Sequence, residues 1–193
     1  MLSFRGPYRT NGMQTALIFL VKTLADLYVL TFLLRFIMQW TRADFHNPFA
    51  EVILRVTNPL VRPARRMLPS ARGVDLPTLL LLVALEAIAT LVLLALAGVS
   101  MPAGTFVVTV VLRLVNLTIW FYTIAIFVYV ILSWIGQGRY TPIGALLADL
   151  VEPVLAPARR ILPPIAGVDL SPLLVLILLQ AVSIALPLAP YLR

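Results

Sequence analysis

Five charged side chains sit inside stretches that are otherwise apolar: Lys22, Asp26, Arg35, Glu86 and Arg113. Placing an acid at the middle of a membrane segment costs roughly 2.5–3.5 kcal/mol, taking Asp as the guide. Glu86 is therefore expected to face other helices and to have a partner. Counted from the same end of their segments, Arg113 is the nearest opposite charge, and Lys22 and Asp26 fall in the same half. Lys22 and Asp26 are four residues apart and share a helical face, although a base ahead of an acid is the weaker order. Asn116 and Gln180 complete a candidate intramembrane polar cluster. Such a cluster serves one of two ends. A wet path of acids and amides moves protons or cations, whereas a closed set of opposite charges fixes the register of packed helices. No chain of acids runs the length of any segment, which weighs toward the second.

A second set of candidates is basic. Arg62, Arg65 and Arg66 recur in part as Arg159 and Arg160. An arginine fork can hold a lipid phosphate through two hydrogen bonds, and each basic residue beside an anionic leaflet contributes about 1 kcal/mol. The same residues can also do no more than set topology, or pair internally with Asp75 and Asp169. Those two acids each follow a Gly-x-Asp step and precede an apolar run. They are expected to be helix N-caps, with cation binding by loop carbonyls as the alternative.

Other chemistries are ruled out by residue supply. The chain has no cysteine and one histidine, His46. A thiolate metal site, a thiol nucleophile and bis-histidine haem ligation within one chain are thus impossible. No phosphate-binding glycine loop, nucleophile elbow or zinc-protease helix motif occurs. The expectation is a protein that is not an enzyme and holds no cofactor. The net charge of +7 comes mostly from arginines between apolar runs, so anionic phospholipid is the expected partner and nucleic acid is not.

The elements that must position these residues follow from composition. Of 193 residues, 61% are hydrophobic and 12% charged, against about 25% charged in a soluble domain. The fold class expected is all-α and membrane-integral, with four spans at about 16–40, 76–97, 105–134 and 170–188. Trp40 and Trp134 end two of them, as interface aromatics do. Arg35, near Trp40, is placed to snorkel.

Between the spans lies a duplicated element. Asn58-Pro59-Leu60-Val61-Arg62-Pro63-Ala64-Arg65-Arg66-Met67-Leu68-Pro69 is matched by Glu152-Pro153-Val154-Leu155-Ala156-Pro157-Ala158-Arg159-Arg160-Ile161-Leu162-Pro163, and Gly73-Val74-Asp75-Leu76 by Gly167-Val168-Asp169-Leu170. Trp40 and Trp134, Pro48 and Pro142, and Glu86 and Gln180 share the same offset. Each repeat, at 13–98 and 105–189, is expected to be a helical hairpin with an amphipathic elbow (48–68 and 142–162) in the interface plane. Phe49, Val52, Ile53 and Val56 form one apolar face, and Ile143, Leu146, Leu147 and Leu150 its counterpart. Asn58 and Glu152 read as caps before Pro59 and Pro153, with Pro63 in a first turn, and Pro69 and Gly73 end the first elbow. Two spans per repeat put both copies the same way up. The loop arginines, Arg72 and Arg139 among them, place the elbows in the cytoplasm and both termini outside. Residues 1–12 are polar and break the pattern, so Met13 reads as the native start and the residues before it as an extension or tail.

The doubled N/D/E-P-x-x-x-P-x-R-R-x-x-P element with its following G-x-D-L resembles the YggT (YlmG) family. Leu34-Arg35-Phe36-Ile37-Met38-Gln39-Trp40 and Asp44-Phe45-His46-Asn47-Pro48-Phe49 resemble its proteobacterial members. The resemblance implies a small multi-pass inner-membrane protein. Family members have been associated with osmotic tolerance, with cell division or nucleoid and plastid distribution, and in plastids with cytochrome assembly. Two functions fit: a scaffold or assembly factor acting on lipid and other inner-membrane proteins, or a small homo-oligomeric ion channel or transporter using the Glu86 cluster.

Overall fold

The computed structural model describes residues 12–67, 75–136, 141–162, 169–189 and 192. These form six helices: α1 Gly12–Thr41, α2 Pro48–Met67, α3 Leu76–Ala97, α4 Ala103–Trp134, α5 Pro142–Ile161 and α6 Ser171–Ala185. The expectations placed on residues 1–11, Leu68, Pro69, Arg72, Gly73, Arg139, Pro163, Gly167 and Pro190 lie outside the described residues.

Three helices, α1, α3 and α4, are long and apolar enough to cross a membrane. The 22 residues of α3 extend about 33 Å at 1.5 Å per residue, enough for a hydrocarbon core of about 30 Å. The expected fourth span is not seen at its full length. Helix α6 has 15 residues, about 22 Å, and stops at Ala185. Pro187 cannot extend an α-helix turn that needs its N–H, and the chain from Leu186 to Ala189 is non-helical.

Helix α1 packs mainly along α3, and α4 along α6, while α3 also meets α4. The α3–α4 connection turns at Gly98, whose φ of +66° is left-handed and whose N–H reaches back to the end of α3. Such a closure favours glycine. The interior is dry between α1, α4 and α5, around Phe32, Met38, Ile126, Leu150 and Leu155.

The elbows differ from expectation in a specific way. Each is one continuous helix of 20 residues that runs through its two prolines. The caps lie eleven residues earlier than Asn58 and Glu152. Asn47 accepts from the N–H of Phe49 at 3.0 Å, and Thr141 accepts from the N–H of Gly144 at 3.1 Å. Pro59, Pro63, Pro153 and Pro157 all lie on exposed faces. The carbonyls they leave unbonded one turn back are thus on the side where solvent or headgroups can reach them, and a proline inside a helix is tolerated there.

Helix α2 has three faces. Ala50, Thr57 and Val61 are fully buried against the protein. Phe49, Val52, Val56 and Leu60 are exposed and apolar, and Glu51, Arg55, Arg62 and Arg66 are exposed and charged. A helix with protein on one side, lipid on a second and water on the third has this pattern at the interface. Helix α5 is sunk deeper. Leu146 and Leu150, which correspond to exposed Val52 and Val56, are buried, and α5 touches α1, α2, α4 and α6. Asn47 Nδ2 donates to the carbonyl of Pro142 at 2.6 Å, so the two elbows start side by side.

Substituting Ala50→Leu should overpack the α1–α2 contact and cost about 1–3 kcal/mol. Val52→Leu, on the exposed apolar face, should change stability by less than about 0.5 kcal/mol. Thermal unfolding in detergent compares the two, and equal losses would show that α2 has no distinct protein face.

Candidate functional site

The intramembrane charges form one network. Arg113 on α4 donates from Nε to Glu86 on α3, from Nη2 to Asp26 on α1 at 2.8 Å, and from Nη1 to the carbonyl of Leu192 at 3.0 Å. Lys22 Nζ donates to the other oxygen of Asp26 at 2.6 Å. The Thr90 hydroxyl lies 3.4 Å from Glu86. Three helices and the C-terminal turn are thereby tied to a single guanidinium. Two bases face two acids, so the set is neutral. Glu86 is 1% exposed and Arg113 3%. Such burial is tolerable only because almost every donor and acceptor is matched.

Asn116 and Gln180 behave differently. Asn116 lines a recess of about 280 Å³ with Lys22, Asp26 and Arg113, and accepts from Ser183 at 3.4 Å. Gln180 does not join the network. It is exposed on α6 in a shallow apolar groove with Phe127 and Ile177. The duplication put it level with Glu86, but it is exposed where Glu86 is buried. The Tyr122 hydroxyl on α4 is buried with no partner among the described residues.

Of the five candidate elbow arginines, two pair with acids and three do not. Arg65 Nη2 donates to Asp75 at 2.5 Å, and Arg159 Nε donates to Asp169 at 2.8 Å. Arg159 also forks to both oxygens of Glu152 at 2.9 and 2.8 Å. Arg62, Arg66 and Arg160 are exposed. Asp75 occupies the position before α3, but its carboxylate makes no capping bond; it accepts from Arg65 and from the Thr78 hydroxyl at 2.6 Å. Asp169 does both, taking the N–H of Ser171 at 2.9 Å as well as Arg159. Burial raises both acids, yet the arginine and hydroxyl or backbone hydrogen bonds outweigh it and hold each below its ordinary range. Arg159 is raised: its burial is outweighed by Asp169 and Glu152.

Arg35 departs from its expected snorkelling. It is 4% exposed and donates from Nη1 to the Thr57 hydroxyl at 2.6 Å and to Asn58 Oδ1 at 3.0 Å. Asn58, expected to cap a helix, is instead an acceptor inside α2. His46 is almost fully exposed beside Asp44.

The CCB3/YggT family model matches the chain twice, over residues 14–96 and 108–189. The chain belongs to this family. It is 36% identical to the uncharacterized protein PA0392 of Pseudomonas aeruginosa, over 89% of this chain and 88% of that one. It is 34% identical to YggT of Escherichia coli K12, over 88% of each, and 40% identical to an uncharacterized Vibrio alginolyticus protein over 84% of this chain and 88% of that one. No solved structure gives a significant match. The two matched segments divide the chain between α3 and α4, so Arg113 of the second reaches Asp26 and Glu86 of the first.

Replacing Arg113 by Leu should strand the buried Glu86, take one of two partners from Asp26 and destabilise the protein by about 3–5 kcal/mol. Adding Glu86→Gln should restore part of that loss. Additive losses in thermal unfolding would show that the two side chains are not coupled. The elbow acids make a second expectation. Their folded-state pKa values are lowered, so their stabilisation is complete above the ordinary carboxylate value of 3.8 and is lost as pH falls below it. Asp75→Asn should flatten the acid limb of a pH–stability profile between about pH 4 and 2.

Proposed function

We propose that this YggT-family protein is a non-enzymatic inner-membrane scaffold or assembly factor. It spans the bilayer four times, with α6 as a short fourth span, and both repeats lie the same way up. The elbows α2 and α5 rest on the cytoplasmic leaflet and the termini are periplasmic. It acts through its exposed faces on phospholipid and on other inner-membrane proteins, in membrane organisation of the kind that serves osmotic tolerance or division.

The observation that carries this reading is the closed, neutral network on Arg113. A path for ions keeps charged groups free to exchange partners with the ion. Here Glu86 has Arg113 and Thr90, Asp26 has Arg113 and Lys22, and only the rim of the set is open. The short α6 fits a span if the bilayer thins locally or the non-helical Leu186–Ala189 continues it, each at modest cost.

A second reading rests on the recess beside Lys22, Asp26 and Asn116. Polar side chains of α1 and α4 converge there, as at the mouth of an ion path. Flux measurements separate the two. Purified protein in liposomes should pass no K⁺, Na⁺ or H⁺ above empty vesicles. Flux that Glu86→Gln abolishes would establish the channel reading in place of the scaffold.

Topology has its own check, made clean by the lack of native cysteine. Cysteines introduced one at a time at Arg66 and Arg160 should be labelled only from the cytoplasmic side, and one at Ser100 only from the periplasm. Labelling of Arg66→Cys and Arg160→Cys from opposite sides would end the parallel arrangement. For the scaffold itself, photocrosslinkers at Val52 and Val56 in native membranes should capture the same few membrane proteins in repeated trials. Capture in simple proportion to membrane abundance would argue against it.

A further inference from the structure

The two elbows share a backbone pattern, yet their charges do not match. In the first, Arg65 pairs with Asp75, while Arg35 donates to Thr57 and Asn58. In the second, position 129 holds Tyr in place of Arg35, and position 152 holds Glu in place of Asn58. Arg159 there faces two acids, Glu152 and Asp169. Among Arg35, Arg65 and Asp75 there is one more positive than negative charge, and among Arg159, Glu152 and Asp169 one more negative than positive.

The surplus cation is Arg35. All eight Asp and Glu residues of the chain lie among the described residues, and none is within 4.0 Å of it. Both of its hydrogen bonds leave from Nη1 and end on neutral oxygens. A buried cation with only neutral acceptors is costly, and its planar fork keeps further donors for an oxyanion. Arg35 lines a recess of about 270 Å³ together with Gln39, Arg65, Phe45 and Leu54. Two guanidinium groups and an amide thus surround one concavity between α1 and α2, with an aromatic and an aliphatic side chain on its apolar side.

We propose that this recess is a binding site for one phosphate-bearing anion, held by Arg35 and Arg65, and that the second elbow has no such site. The source that fits the apolar lining, Phe45 and Leu54, is a phospholipid headgroup. That source rests on α2 lying at the membrane surface, as proposed above; the anion site itself does not.

The test uses full-length protein in phosphate-free non-ionic detergent. Short-chain phosphatidylglycerol, a diacylglycerol of the same chain length and inorganic phosphate are titrated separately. Binding is followed by calorimetry and thermal unfolding, and stoichiometry by native mass spectrometry. Wild type should take up one phosphatidylglycerol per chain and no diacylglycerol. Arg35→Gln should weaken binding about tenfold or more, the range of a lost charge-assisted fork. Because Arg35→Gln can also disturb packing, Asn58→Glu is the deciding variant. It copies Glu152 and gives Arg35 an internal carboxylate at the position of Asn58 Oδ1. It should abolish binding while unfolding at the same temperature or higher.

Inorganic phosphate that protects wild type but not Asn58→Glu, with no preference for the lipid, would keep the site and assign it to free phosphate. It would also count against the surface placement of α2. Equal affinity of wild type and Asn58→Glu for every probe would overturn the proposal. So would an Arg62→Gln/Arg66→Gln variant that loses as much affinity as Arg35→Gln, since the attraction would then be that of the charged surface alone.

Discussion

A guanidinium inside a membrane segment must find its counter-charges within the protein, and most of the arrangement of this chain follows from how Arg113 does so. Helices in lipid gain little from the hydrophobic effect when they meet, because lipid tails are as apolar as leucine. Faces rich in Leu, Val and Ile can slide past one another at small cost. Arg113 removes that freedom. Its three groups of donors end on α1, α3 and the C-terminal turn, and any rotation of α4 that breaks one bond leaves a charge in a dry environment. A buried ion pair adds little net stability over a well-packed apolar one, but losing one partner is expensive. The network therefore acts as a selector of register.

That selector also makes the duplication unequal. Lys22, Asp26 and Glu86 belong to the first copy, while the equivalent positions of the second hold Asn116, Trp120 and Gln180. The second copy supplies the arginine and the first supplies the acids. At the elbows the division runs the other way. Arg62 has Ala156 as its counterpart and Arg55 has Asp149. With fewer arginines, α5 can sink among four helices, whereas α2 stays at the edge with its charged face free. Two copies of one backbone plan thus become a buried elbow and a peripheral one, and the peripheral one presents Arg55, Arg62 and Arg66 on one exposed face.

Several of these features were legible in the residues. Long apolar runs gave three helices long enough to cross a membrane, and tryptophans mark two of their ends, with Trp40 71% and Trp134 82% exposed. Counting along the helices from a common end brought Glu86, Arg113, Lys22 and Asp26 to one level. Other features were hidden by local rules that tertiary context overrode. Proline reads as a helix start, so Pro59 and Pro153 suggested caps at Asn58 and Glu152. The prolines instead sit on outward faces of longer helices, where the lost hydrogen bonds are cheap. Gln180 was placed by analogy with Glu86, yet its side chain lies exposed beside Phe127 and Ile177. Arg35 looked like an interface arginine because sequence shows distance from Trp40 but not which neighbour covers it. Only the position of α2 reveals that Thr57 and Asn58 close over it.

Two polar centres now lie on α1, at Asp26 and at Arg35. Nine residues separate them, about 13 Å along the helix axis. Between them, Val29, Phe32 and Leu33 are buried, and Phe121, Ile126 and Leu82 close the same layer from α4 and α3. Phe32 and Ile126 have no exposure at all. An ion moving from one centre to the other would have to cross this apolar plug with no oxygen ligand along the way, apart from the Tyr122 hydroxyl, which is buried in the same cluster. Opening the plug would pull α1 away from α4, and that movement breaks the bond from Arg113 to Asp26. The interaction that fixes helix register is therefore also the one that keeps the interior closed. In this conformation the two polar centres are separate sites on α1, divided by the buried side chains of Val29, Phe32 and Leu33.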